Sequence, residues 1–243
     1  MNDLSSSPRP LRVAVTGGTS GLGLALVEAF ATRGDAVAFV ARDAANVRRV
    51  AAAIAGSHGI VGDVSRKDDI HALALQVGGA LGGLDVLIHN ASSLGPVPLA
   101  LLADTECEDV DAALATNLLG PFRLTKAVLG LLASSAREAG VSGPRSLVVN
   151  VTSDAAVTPC AGWGAYGASK AALLHMSRIW HEELVPHGIG VIAIDPGDMD
   201  TPLHAAAVPD ADHAALKRPR DAARELIARI DVERSARRSE HGR

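Results

Sequence analysis

Aromatic residues are scarce in this 243-residue chain: they make up 2% of it, and Tyr166 is its one tyrosine. With 48% of the residues hydrophobic, the core has to be built from Ala, Val, Leu and Ile. Cysteine is nearly absent, and Cys107 and Cys160 stand too far apart for a CxxC redox or zinc pattern. That excludes a disulfide scaffold, leaves no metal site to expect, and suits a reducing cytosol. No uninterrupted apolar run approaches the roughly 20 residues of a membrane span. The stretch Met1 to Arg12 is polar and proline-bearing, unlike a signal peptide or an anchor. Charge of either sign is not in excess: 23 Lys and Arg against 27 Asp and Glu leave −4, no field for gripping nucleic acid. These absences point to a cytoplasmic globular protein without nucleic-acid or membrane partners, long enough to bury a core as one domain.

Short apolar runs alternate with longer helical patterns, the signature of parallel strand–helix–strand units. Strands are expected at 11–16, 36–41, 58–61, 84–89, 146–151 and 189–194. Their nearly continuous apolar character fits a sheet covered by helices on both faces. Helices are expected over 22–33, behind an N-cap at Asp43, behind a capping box at Ser65-Arg66-Lys67-Asp68, over 104–136, 165–185 and 221–230. The segment 196–218, with Pro202, Pro209 and, at its end, Pro219, is expected to be an irregular, mobile flap. The reading is α/β: a doubly wound, Rossmann-like parallel sheet of six strands. It forms a single domain over 11–230, between a flexible N-terminus (1–10) and a charged, frayed tail (231–243). Ligands of such sheets bind beyond the carboxyl ends of the strands.

The loop Thr16-Gly17-Gly18-Thr19-Ser20-Gly21-Leu22-Gly23 joins the first strand to the first helix. Its glycines allow a tight turn and the close approach of a pyrophosphate to open N–H groups at the helix start. The spacing is neither GxGxxG nor a Walker loop. Arg42 ends the second strand where an acidic residue would take a ribose 2′-hydroxyl, and an arginine there suits a 2′-phosphate. NADP(H) is therefore expected over NAD(H), although Asp43 stands next to Arg42 as a competing partner. Asp63, followed by Val64, either hydrogen-bonds an adenine amino group or makes a turn, and spacing does not choose. Tyr166 and Lys170 share a helix face at i and i+4, so the ammonium is expected to favour the phenolate and lower the phenol pKa. Ser153, just after the fifth strand, is either a polariser of a substrate carbonyl or a cap. Cys160, Trp163 and His204 are the candidate substrate contacts, with Asp154, Met199 and Leu203 nearby.

Taken in order, these motifs resemble the short-chain dehydrogenase/reductase family in its compact single-domain form. Thr16 to Gly23 is similar to its TGxxxGxG loop, and His89-Asn90-Ala91-Ser92 to its NNAG element, with His89 and Ser92 in place of Asn and Gly. Asn117, Ser153, Tyr166 and Lys170 resemble its catalytic set, and Pro196-Gly197-Asp198-Met199-Asp200-Thr201 its PGxxxT segment. The resemblance implies hydride transfer between a nicotinamide cofactor and a carbonyl or alcohol. Tyr166 would be general acid/base and Lys170 would bind the nicotinamide ribose. Ser153 would orient the substrate oxygen, and Asn117 would hold a water linking Lys170 to solvent. Gly17, Thr19, Ser20, Gly21, Leu22, Gly23, Arg42, Asp63, Val64, Asn90, Ala91, Pro196, Gly197, Met199 and Thr201 would line the cofactor together with Tyr166 and Lys170. The family's seventh strand is replaced here by Ile230-Asp231-Val232-Glu233-Arg234. A homodimer through the helices near 104–135 and 165–185 is expected, with a tetramer as the alternative. A nucleotide-binding regulator without chemistry is the rival reading of the same fold.

Overall fold

The structure, a computed structural model, describes residues 9–140 and 145–235. Among them are six strands: β1 (Arg12–Thr16), β2 (Ala36–Ala41), β3 (Ser57–Val61), β4 (Val86–His89), β5 (Ser146–Val151) and β6 (Ile189–Ile194). All pair in parallel in the order β3-β2-β1-β4-β5-β6. Strand direction alternates side chains between two cores. Val13, Val15, Val86, Ile88, Leu147 and Val149 face one side with Leu26, Phe30 and Leu226. Ala14, Leu87 and Val148 face the other with Leu73, Leu124 and Leu132. Both faces being dry explains why the strands carry no polar alternation.

Among the described residues eight α-helices accompany the sheet: α1 (Gly21–Arg33), α2 (Ala44–Ala53), α3 (Ile70–Leu81), α4 (Cys107–Leu114), α5 (Gly120–Glu138), α6 (Gly164–Leu184), α7 (Pro202–Ala207) and α8 (Pro219–Ser235). α1 stops at Gly34, whose left-handed φ of 91° no β-carbon-bearing residue adopts readily. Asp43 caps α2 by accepting the Asn46 N–H at 2.7 Å. No helix is long and apolar enough to cross a membrane among the described residues.

Two local expectations are corrected. The capping box at Ser65 does not form: Asp63 Oδ1 takes both the Ser65 N–H and hydroxyl, at 2.9 and 2.7 Å. The chain then enters α3 through a 3₁₀ turn at Lys67–Asp69 without a side-chain cap. The long helical stretch expected over 104–136 is helical from Cys107 to Glu138, with a π turn, Ala115–Leu119, joining α4 to α5. The segment 196–218 is closed on itself, with α7 and a Met199–Lys217 bridge supported by Asp200 N–H to Lys217 O at 3.0 Å.

Both ends are also better anchored than their charge suggests. α8 continues through 231–235, because Asp231 pairs with Arg33 at 2.9 Å and buried Arg234 donates to the carbonyls of Asp85 (3.1 Å) and Arg145 (2.8 Å). Arg9, placed in the expected flexible terminus, pairs with Asp85 at 2.7 Å. The remainder of the two expected tails, 1–8 and 236–243, lies outside the described residues.

Candidate active site

The strand order reverses between β1 and β4, and beyond their carboxyl ends opens a cleft of about 1080 Å³. One end is built from the β1–α1 loop. Gly17 and Gly18 N–H groups both donate to Val40 O, at 2.8 and 3.3 Å, folding the loop back over β2. Gly17 and Gly21 have φ of +71° and +50°, and a β-carbon on Gly23 would strike the Gly17 carbonyl and the Asn90 amide. Gly23 thus lies behind the loop, whereas Gly17, Thr19, Ser20, Gly21 and Leu22 line the cleft. Ser20 precedes α1 without capping it through its side chain, so the first N–H groups of a 13-residue helix face the cleft end uncapped. Such a concave, N–H-rich helix start fits a pyrophosphate.

Asn90 binds this loop to β4, its Nδ2 donating to the carbonyls of Thr16 (3.0 Å) and Gly17 (3.2 Å). Thr16 Oγ1 returns the contact by accepting the Asn90 and Ala91 N–H groups at 3.1 Å. His89 points the other way, into the core, 2.7 Å from Thr125 Oγ1, and burial takes its pKa down to about 3. It is a neutral core imidazole. Arg42 stands exposed on the cleft wall, and among the described residues it has no ion-pair partner, since Asp43 is occupied in capping α2. Asp63 makes the Ser65 turn and also lines the cleft.

At the other end β5 and α6 bring Ser153, Tyr166 and Lys170 together. Tyr166 is 7% exposed and lines the cleft together with Ser153 and Ser92. Ser153 also caps the 3₁₀ turn Asp154–Ala156 and donates its hydrogen to Asp154 Oδ1 at 2.8 Å. Lys170 is buried, its Nζ donating to Val151 O at 2.8 Å and lying 5.5 Å from the Tyr166 ring centroid. Burial pulls its pKa down to about 8. The expected lowering of the phenol pKa is overturned. Burial pushes Tyr166 up, the hydroxyls of Ser153 and Ser92 offset part of this, and the carboxylates of Asp195 and Asp154 push further up. Loss of water around the phenol is the largest of these causes.

Asn117 sits buried in the π turn, and its amide is fully engaged. Oδ1 accepts from Ser92 Oγ (3.1 Å) and Ser93 N (2.8 Å), and Nδ2 donates to Ser93 O (2.7 Å) and Ser169 Oγ (2.8 Å). No polar side-chain atom remains for a relay water, so that expected role does not fall to the side chain. Cys160, Trp163 and His204 all line the cleft, with Pro196, Gly197, Met199 and Thr201. Trp163 meets Tyr166 edge-on with ring centroids 5.7 Å apart. His204 is held at the start of α7, which Thr201 caps, and its Nδ1 is buried without a partner. Residue-level reading assigned no role to Ser92 or Asp195. Their only sequence signals are a serine in the NNAG-like element and an acid directly after β6.

A family model described as short chain dehydrogenase matches residues 12–212. An uncharacterized short-chain type dehydrogenase/reductase of Sinorhizobium fredii is 34% identical over 194 residues, which is 79% of this chain and 33% of that protein. The L-fucose dehydrogenase of Mus musculus is 32% identical over 191 residues, covering 79% of this chain and 66% of the mouse protein. The chain therefore spans between a third and two thirds of the length of these relatives. Among solved structures, a short chain dehydrogenase from Burkholderia cenocepacia in complex with NADP superposes with a TM-score of 0.80 at 27% identity, covering 94% of both chains.

Proposed function

The chain belongs to the short-chain dehydrogenase family, and on that premise we propose that it is an oxidoreductase interconverting a ketone or aldehyde and an alcohol, with NADP(H) preferred over NAD(H). The observation that carries this reading is one cleft with a glycine-lined helix start at one end and, at the other, a buried phenol that shares the cleft wall with Ser153 and Lys170. A nicotinamide dinucleotide, when bound, supplies or accepts the hydride. Gly17, Thr19, Ser20, Gly21 and Leu22 would hold its pyrophosphate, and Arg42 its 2′-phosphate. Asp63, Val64, Asn90 and Ala91 would flank its adenosine half, and Pro196, Gly197, Met199 and Thr201 its nicotinamide half.

Tyr166 then gives its proton to a carbonyl oxygen in reduction and takes one from an alcohol in oxidation. Ser153 orients that oxygen, and Trp163, Cys160 and His204 form the wall around the rest of the substrate. Lys170 keeps two ammonium hydrogens beyond its bond to Val151 O, enough to hold a ribose hydroxyl. Asn117 holds the loop of Ser92 and Ser93 against the helix that carries Tyr166. Exposed Phe122 on α5 and Ile179 on α6 support pairing of two chains through those helices.

The test is NADPH oxidation with a panel of ketones and aldehydes, and NADP⁺ reduction with alcohols. Cofactor-dependent turnover is expected; tight NADPH binding with no turnover of any substrate rejects the enzyme and leaves the regulator. Arg42→Ala should weaken NADPH about 10- to 100-fold, as loss of a charge-assisted phosphate contact does, while NADH affinity holds. Fluorescence titration of both cofactors measures this, and an unchanged NADPH-to-NADH ratio removes the NADP(H) assignment.

A further inference from the structure

Three large apolar side chains line the cleft while exposed to water: Val97, 61% exposed, in the loop after β4, and Leu203 and Val208 on the segment after β6. The Val97 loop lies against the start of α6, where a β-carbon on Gly95 would come within 3.1 Å of the Ala165 β-carbon, beside Tyr166. The segment of Leu203 and Val208 leaves β6 at Ile194, whose carbonyl accepts the Thr152 N–H next to Ser153 at 2.8 Å. The Trp163 ring and half-buried Leu216 add to this apolar lining. Exposed apolar side chains scattered singly over a surface carry no message. Gathered in one concave site with a reactive group, they mark where an apolar ligand displaces water.

Charge narrows the ligand further. Among the described residues that line the cleft, the lysines and arginines are Arg42, at the end of β2, and Lys170, whose ammonium bonds Val151 O. Four acids, Asp154, Asp195, Asp198 and Asp212, line the segments after β5 and β6. Three of them are turned to the chain's own donors at 2.7–3.0 Å: Asp154 takes the Ser153 hydroxyl and the Ala155 N–H, Asp195 the Gly197 N–H and Asp212 the Ala214 N–H. The fourth, Asp198, faces His204 Nε2 at 3.8 Å. An anionic substrate meets repulsion here without a counter-cation, and a polyol leaves the apolar lining uncovered. We infer that the substrate is an uncharged, largely apolar ketone or secondary alcohol, held by Val97, Leu203 and Val208, and neither a carboxylate- or phosphate-bearing compound nor a sugar. The inference rests on the proposed oxidoreductase reading and narrows it, and binding can be measured apart from turnover.

Initial rates with NADPH are compared for the linear methyl ketones from butanone to nonanone, for keto acids of matching length and for fructose. kcat/KM should rise about fourfold with each added methylene, the gain from taking that group out of water. A terminal carboxylate should lower it about tenfold against the neutral ketone, because like charges in a partly dry cleft are poorly screened. Val97→Thr and Leu203→Asn keep side-chain size at exposed positions while removing apolar surface, and in both the gain per methylene should shrink through KM. Equal kcat/KM for ketone and keto acid, a preference for fructose, or an unchanged gain in both variants overturns the inference. Binding is read from Trp163. The other tryptophan, Trp180, packs edge-on against Phe122, so Trp180→Phe leaves Trp163 fluorescence to report occupancy of the cleft. With NADP⁺ present, nonanone should change that signal at lower concentration than butanone, and the keto acid of nonanone's length at higher concentration than nonanone. That order without turnover of any compound rejects the oxidoreductase reading and upholds the preference of the cleft; turnover without that order rejects the inference alone.

Discussion

Tyr166→Phe should lower kcat/KM for carbonyl reduction by about 10²- to 10⁴-fold, the range that a positioned general acid contributes. NADPH affinity should change little, because the glycine loop and Arg42 lie at the far end of the cleft. The fold should tolerate the change as well. Ser153 keeps Asp154 and Ser92 keeps Asn117 when the phenol oxygen is removed, so neither hydroxyl is left without a partner. Thermal melting within about 1 kcal/mol of wild type, with turnover gone, separates loss of chemistry from loss of structure. Retention of most turnover would mean that another group supplies the proton. The pH dependence has a definite sign in the wild type. A phenol raised by burial is protonated through the neutral range, so reduction holds there, while oxidation climbs with pH toward the alkaline region where the phenolate forms. An oxidation rate already flat across the neutral range would contradict that direction.

The strands were legible because a sheet dry on both faces demands long apolar runs, and β2, β5 and β6 begin and end where those runs do. The pairing of Tyr166 with Lys170 in one place was legible from helix geometry alone. What the helix repeat cannot express is the surroundings supplied from elsewhere. Val151 O comes from β5 and takes the amine, Asp195 comes from the end of β6, and burial itself is a property of the assembled cleft. That is why the phenol shift came out with the opposite sign. Ser65 looked like a cap because it stands at the right spacing before a helix, but Asp63 two residues earlier is a stronger acceptor and claims it. The π turn around Asn117 interrupts a helix whose apolar pattern continues on either side, so it leaves almost no periodic trace. The charged end of α8 looked solvated because its partners, Arg33 and Asp85, are about 150 to 200 residues away in the chain.

Asp85 lies at the amino ends of the central strands, opposite the cleft, and its replacement should have the largest effect on stability. Its carboxylate, 1% exposed, accepts two bonds from the Arg9 guanidinium (2.7 and 2.8 Å), two from the Arg12 guanidinium (3.1 Å each) and the Arg12 N–H (2.9 Å). Arg12 reaches on to Ser135 and Glu138 of α5, and Arg234 of α8 donates to the Asp85 carbonyl. One buried acid thus ties β4 to β1 and, through Arg12, to α5, while its backbone carbonyl takes α8. Asp85→Ala leaves the Arg12 guanidinium, still paired with Glu138, without its buried partner, and should cost about 3–5 kcal/mol in urea unfolding at neutral pH. Activity below the melting temperature should be retained, because the carboxyl ends of the strands are untouched. Burial alone would push the Asp85 pKa up, but the hydrogen bonds from Arg9 and Arg12 outweigh it and hold the acid at about 2, below its ordinary 3.8. A pKa lowered by folding contributes stability above the unfolded value and loses it as pH falls through the folded one. The wild type should therefore lose roughly 2 kcal/mol from this group between about pH 4 and pH 2. Asp85→Asn, which carries no titrating charge there, should show a correspondingly flatter acid profile. Parallel acid profiles for the two proteins would refute the ion pair as the source, and an unchanged unfolding midpoint in Asp85→Ala would refute its place in holding this edge together.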